Sequence, residues 1–295
     1  MLIKNYIALI LLVVSLPFLA SARELAGKSL SKQAPLDDTK NLLVDVNFGN
    51  GYIDIRPGTE NQLFGAELFY EGARPEVKYE RIGEDGRLHI YFSGNLAKSG
   101  DEEGASKSIS SLNKMYENSL NLLLTDKIVT DMDLELGVIK GTIDLSGLRI
   151  RQLKMQIGVI KGDLLFNKPN PVVMEGCFIE GGVGKFSAEK LGNANFDYFS
   201  FEGGVGSYVL DFSGEYRHSG KIKIEMGMGK LLLYLPRKVG TRIRVEKSIL
   251  ASVDIDEVYK KGKFYYNDNW EQTEYSLDVE IETGVGKINI VWVDD

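Results

Sequence analysis

Cysteine is nearly absent. Cys177 stands alone among 295 residues, so no intramolecular disulfide can hold this chain together. Histidine occurs only twice, as His89 and His218, so a three-ligand zinc site would have to draw on carboxylates or on Cys177. Proline is scarce, 7 residues against 32 glycines, which suits strands that turn at glycine corners. No cluster of Lys and Arg occurs, and the formal net charge is −7. Phosphate binding needs clustered cations, so nucleic acid is excluded as a partner and an anionic lipid surface is disfavoured. No metal, cofactor or nucleotide motif stands out: the glycine pairs precede strands, where a phosphate-binding loop would open a helix.

Only one long apolar run exists, Ile7–Ala20, preceded by Lys4 and followed by the small-residue triplet Ala20-Ser21-Ala22. This order reads as a secretory signal peptide cleaved after Ala22, and it predicts a secreted or periplasmic protein. The run holds 14 residues and contains Pro17, against about 20 needed to cross a bilayer. No membrane span is expected after cleavage. No cysteine lies near the cleavage site, so no lipoprotein acceptor is present. Stability must then come from a packed core.

The informative feature is internal repetition. Gly-Val-Ile-Lys-Gly occurs at 137–141 and 158–162; Gly-Val-Gly occurs at 182–184, 204–206 and 284–286, with Gly-Met-Gly at 227–229 and a looser Gly-Asn-Gly at 49–51. From Gly137 the steps to Gly158, Gly182, Gly204 and Gly227 are 21, 24, 22 and 23 residues. Three residues before the anchors stand Leu134, Met155, Ile179, Phe201, Ile224 and Ile281; five before stand Met132, Leu153, Cys177, Phe199, Ile222 and Val279. Six after come Ile143, Leu164, Ala188, Leu210, Leu233 and Ile290. Eight after, Leu145, Phe166, Phe212, Leu235 and Trp292 are apolar and Lys190 is the exception. Alternation of period two on both sides of a glycine predicts two strands per repeat, each with one buried face. The expected fold is all-β: a right-handed parallel β-solenoid of about seven glycine-cornered coils, with added antiparallel strands near the N-terminal end and a C-terminal insertion.

Two outward columns carry charge. Glu135, Gln156, Glu180, Glu202, Glu225 and Glu282 lie two residues before the anchors; Lys140, Lys161, Lys185, Ser207, Lys230 and Lys287 lie three after. A carboxylate row invites a glycosidase or lyase reading, but an active site is one special place and this feature recurs in every repeat. The sequence-based expectation is that the two rows flank one corner and neutralise each other. Cys177 falls in an inward column and reads as a small core hydrophobe. Asp144 and Asp211, each followed at two residues by Ser and then Gly, read as turn formers. No catalytic residue is assigned, and the chain is not expected to be an enzyme.

The domain reading is a signal peptide at 1–22, a mobile polar lead-in at 23–41 and one solenoid domain at 42–295. Within the last, 98–111 reads as a flexible loop and 239–275 as an insertion. Tyr259, Tyr265, Tyr266 and Trp270 in that insertion are candidates for a ligand site or for the cap that an open solenoid end requires.

The segments Pro75–Glu80, Leu134–Gly137, Ile143–Leu148, Leu210–Glu215 and Leu231–Pro236, with Val239-Gly240 and the closing Gly284–Ile288, resemble the bacterial toast rack domain. The resemblance covers roughly residues 42–293 and rests on the order of the motifs along the chain. It implies a right-handed parallel β-solenoid without catalytic residues, related to the C-terminal part of LiaF-type cell-envelope stress proteins. Those proteins carry N-terminal transmembrane helices where this chain has a signal peptide, so a membrane-embedded regulatory role does not carry over. Two functions follow as expectations: an envelope module that binds a protein or peptide partner, or a polysaccharide-binding or -cleaving β-helix.

Overall fold

A computed structural model describes residues 27–58, 61–94 and 118–294. The expected signal peptide and the expected flexible loop lie outside the described residues. The described residues form sixteen strands. In chain order, β1 is Lys28–Pro35, β2 Asn41–Pro57, β3 Gln62–Tyr70, β4 Glu76–Ile82, β5 Asp85–Phe92 and β6 Ser119–Leu124. The repeats follow as β7 Val129–Asp144, β8 Arg149–Leu165, β9 Gly176–Glu189, β10 Tyr198–Asp211 and β11 Gly220–Pro236. The chain ends with β12 Gly240–Lys247, β13 Ala251–Ile255, β14 Tyr259–Lys261, β15 Phe264–Tyr266 and β16 Ser276–Val293. One short 3-10 turn, Leu191–Ala194, is the only helical element among the described residues. No helix there is long and apolar enough to cross a membrane.

Each repeat is one long strand bent at its glycine, where two separate strands were expected. Strands β2, β7, β8, β9, β10, β11 and β16 lie side by side, all parallel and in register, so that Glu202 pairs with Glu180 on one side and Glu225 on the other. The bend folds the two halves of each strand over a common core. Phe199 meets Phe212 at 5.0 Å between ring centroids, and Phe201 meets Tyr208 at 5.0 Å, each pair joining residues from opposite sides of one bend. Every apolar residue of the four inward columns is buried. At the Lys190 exception the backbone turns left-handed, with φ 59°, and the neighbouring Leu191 fills the core position instead.

The chain does not lay its rungs down in order at either end. Beyond β2 an outer rung is split between β5, against residues 41–48, and β6, against residues 52–57. Beyond β16 an outer rung is split between β12 and β13 in the same way. The chain therefore skips a place after β11, forms the terminal rung, and returns so that β16 inserts between them. The expected insertion at 239–275 is thus largely this terminal rung. Antiparallel strands cover the outer edges: β4 lies on β5, β3 on β6, β1 on β3, and the β14–β15 hairpin on β12. Lys28–Pro35, expected as part of a mobile lead-in, is β1, held along its length by eight pairings with β3. Pairing the edge strand satisfies backbone groups that solvent would otherwise have to meet.

Candidate interaction surface

Alternation breaks at each bend. In β7 to β11 and β16, two consecutive residues, the anchor glycine and the residue after it, both face outward, whereas in β2 the residue after Gly49, Asn50, is buried. The anchor must be glycine for a local reason. A Cβ on Gly182 would lie 2.4 Å from the carbonyl oxygen of Gly158 in the next rung, and one on Gly204 would lie 2.3 Å from that of Gly182. Stacked rungs therefore create a continuous row without side chains.

That row is the floor of a groove of about 1200 Å³ running across the stack from Asn47 and Gly49 to Glu246 and Ser248. One wall is the carboxylate row, Glu135, Glu180, Glu202, Glu225, Glu282 and Glu246, interrupted by Gln156. The amide side chains stitch the row together: Asn47 Nδ2 donates to Glu135 at 2.6 Å, and Gln156 Nε2 to Glu180 at 3.1 Å. On the other side of the floor stands an apolar ridge formed by the residue after each anchor. Val159 (42 % exposed), Val183 (51 %), Val205 (49 %) and Met228 (50 %) are exposed large apolar side chains in consecutive rungs, with Val138 and Val285 half-buried in the same row. Leu250 extends the ridge onto the terminal rung, its carbonyl accepting from Gly286 N–H.

Beyond the ridge lies the lysine row. The expectation that it neutralises the carboxylates needs correction. Among the described residues no ion pair within 4 Å joins the two rows, because the ridge separates them. Glu225 instead pairs with Lys223 on its own strand, Glu246 with Arg244 at 2.8 Å, and Lys287 with Asp254 at 3.7 Å. The hydrogen bond to Glu225 raises the pKa of Lys223 and keeps it charged. The surface is thus striped in the order acidic, bare, apolar, basic.

The remaining candidates do not converge. Tyr259, Tyr266 and Trp270 come together, with Tyr259 stacked on Tyr266 at 5.3 Å and Tyr266 against Trp270 at 5.7 Å. The guanidinium of Arg242 lies 4.8 Å from the Phe264 ring and 5.3 Å from Trp270, while donating to Asp278. Tyr265 points the other way, packing against the core beneath Lys260. His89 contacts Asp45 at 3.0 Å and His218 lies 3.4 Å from Asp197, far apart along the stack. Cys177 is buried, and desolvation pushes its thiol pKa far up, which suits a core hydrophobe. Asp144 and Asp211 accept from the backbone N–H of Ser146 at 2.9 Å and Ser213 at 2.8 Å, closing turns. No group of three or more metal-ligating side chains gathers among the described residues.

The ridge was missed from sequence. Its signal was present: the middle residue of Gly-Val-Gly is apolar in every repeat from Val138 to Val285 although it sits between two corner positions. A second feature was also hidden. Two residues after the anchor, β7 and β8 carry buried Ile139 and Ile160 and place glycine two positions further on. The other rungs carry glycine first and a large residue second, as in Gly184 and Phe186 or Gly206 and Tyr208. Either order places one large buried side chain at the inside of the bend.

Comparison with known proteins gives one family match. A family model described as the N-terminal domain of toast_rack, DUF2154, matches residues 25–188. No curated protein is significantly similar to the chain. Among solved structures, a candidate cell adhesion protein from Clostridium sporogenes is 27 % identical, with 90 % of this chain and 100 % of that one covered and a TM-score of 0.48. A candidate lipid binding protein from Parabacteroides distasonis is 12 % identical, covering 90 % and 98 %, with a TM-score of 0.35. A candidate adhesin from Bacteroides fragilis is 9 % identical, covering 90 % and 97 %, with a TM-score of 0.25.

Proposed function

Because the chain belongs to the toast rack family, we propose that it is a non-catalytic interaction module of the cell envelope, exported behind residues 1–22 and binding a protein or peptide partner through its striped corner. We take the stack to be the right-handed solenoid of about seven glycine-cornered coils that the sequence implies. The observation that carries the reading is the exposed ridge of Val159, Val183, Val205 and Met228 beside the glycine-floored groove. Apolar surface in a contiguous row, flanked by charge, is what a binding face requires and what a solvated face avoids. A catalytic site would instead concentrate unlike groups at one rung, and here each rung repeats the last. A link to envelope stress remains part of the proposal through the LiaF-type resemblance alone.

The polysaccharide reading has the carboxylate row and the aromatic cluster of β14–β15 in its favour, but the row repeats at successive rungs and those rings stack on each other and on Arg242. Crosslinking of tagged full-length protein in its native envelope, followed by mass spectrometry, tests the proposal. One protein partner is expected, and its capture should be lost in a Val183→Asp, Val205→Asp variant that keeps its fold. Recovery of glycan alone, or turnover of an envelope substrate abolished by one carboxylate substitution, would overturn it.

A further inference from the structure

We infer that the partner met by the striped corner is a second copy of the chain, in a twofold dimer whose axis runs along the stacking direction. The inference rests on the reading of the corner as a binding face and names what binds there.

Position along each strand carries the argument. Counted from the anchor glycine, carboxylates stand at −2, the bare floor at 0, the apolar ridge at +1 and lysines at +3. A twofold axis lying between 0 and +1 exchanges 0 with +1 and −2 with +3. Each copy's ridge then enters the other's groove. At the same time Glu135, Glu180, Glu225 and Glu282 come alongside Lys140, Lys185, Lys230 and Lys287 of the second copy across the seam, twice over by symmetry, with Glu225 and Lys287 exchanging their exposed in-chain partners Lys223 and Asp254. The two interruptions fall harmlessly, with Gln156 opposite Lys161 and Glu202 opposite Ser207. An isologous interface needs a patch complementary to itself, and this one is. The in-plane axis at right angles would set carboxylates on carboxylates and is excluded by repulsion.

Other occupants use only part of the face. A basic peptide would satisfy the carboxylates and leave the lysines facing it. An anionic membrane would suit the lysines and the ridge but repel the adjoining carboxylates. A second copy matches all three stripes. Floor and ridge are matched over six rungs, from Val138 to Val285, since the terminal rung carries exposed Ile249 where the others have glycine, so five steps of ~4.8 Å give a length of about 24 Å. Because the strand bends within this stretch, the width is below the ~17 Å of a straight strand and the contact is under about 400 Å² per copy, at the small end for specific association. A weak dimer, with a dissociation constant on the order of 100 micromolar, is therefore expected, weakened further by salt because the charge pairs are rim-exposed.

The test is sedimentation equilibrium of the full secreted chain from low micromolar to several hundred micromolar. Two variants accompany it: one with Glu135→Lys, Glu180→Lys, Glu225→Lys and Glu282→Lys, the other with Lys140→Glu, Lys185→Glu, Lys230→Glu and Lys287→Glu. Wild type should dimerise. Each variant alone should lose dimerisation at least ~100-fold, because each opposes like charges. An equimolar mixture should recover it as a heterodimer, a result that also shows both variants are folded. Should either fail to fold, the Val183→Asp, Val205→Asp variant must by itself be monomeric for the inference to stand. A monomeric wild type, or a dimer indifferent to all these changes, overturns the inference. In that event the binding-face reading survives if the double Asp variant still loses its envelope partner, and falls with the dimer if it does not.

Discussion

At the scale of single residues, glycine sets the corner by two separate requirements that substitution distinguishes. Gly229 has φ +136°, and a Cβ there would lie 1.8 Å from the carbonyl oxygen of Gly206, a backbone atom held by two strands. Gly262, in the β14–β15 turn, also has positive φ, +64°, but nothing lies within 4 Å of its added Cβ. Gly229→Ala should therefore combine backbone strain with a clash and cost about 3 kcal/mol or more. Gly262→Ala should cost only the left-handed penalty, about 1 kcal/mol. Urea unfolding of both variants checks this, and equal losses would show that conformation alone selects glycine at the corner. The inward columns were legible because burial on one face of a strand must recur at every second residue. The ridge was not, since two successive outward residues violate that period, and the exchange of Ile160-Lys161-Gly162 for Gly184-Lys185-Phe186 keeps one large buried side chain per rung while scrambling the column.

At the scale of elements, the strands were legible but their neighbours were not. The alternation of Thr241, Ile243 and Val245 marks a strand facing the core. Nothing local tells that strand to lie outside β16, which follows it in the chain. Strand order is decided by which edge is left for pairing, a property of the assembled stack. The same holds for the aromatic residues of the β14–β15 region, where Tyr259, Tyr266 and Trp270 gather on one face and Tyr265 packs against the core, a split that no local pattern marks. Trp270 closes the cluster over Arg242, so Trp270→Ala should remove the cation–π contact and a ring contact, costing about 1–2 kcal/mol locally. Hydrogen exchange should quicken in β14, β15 and the outer face of β12, while β8–β11 keep their protection. Global loss of protection would mean that the hairpin nucleates the stack and does more than seal its end.

At the scale of the whole molecule, the stack is quasi-one-dimensional in contacts but not in chain order, and this changes how it should fail. In a solenoid laid down sequentially, each repeat touches only its neighbours, and removing the last repeat leaves a shorter array that still folds. Here the last strand is internal. β16 pairs with β11 along 16 residues on one side and with β12 and β13 on the other. Its side chains Leu277, Val279, Ile281 and Ile288 are buried between them. A chain ending at Tyr275 would leave the terminal rung without a partner and open the full edge of β11, with its inward residues Ile222, Ile224, Leu231 and Leu233, to solvent. Long unpaired apolar edges promote association with other chains. The truncated protein should therefore be recovered as aggregate, without a cooperative unfolding transition, as judged by size-exclusion chromatography and thermal melts. Sequential order predicts the opposite, a soluble array shortened by one rung and modestly less stable. The two outcomes separate topology from repeat count, because the composition removed is the same in both cases and only the place of β16 in the sheet decides what its loss exposes.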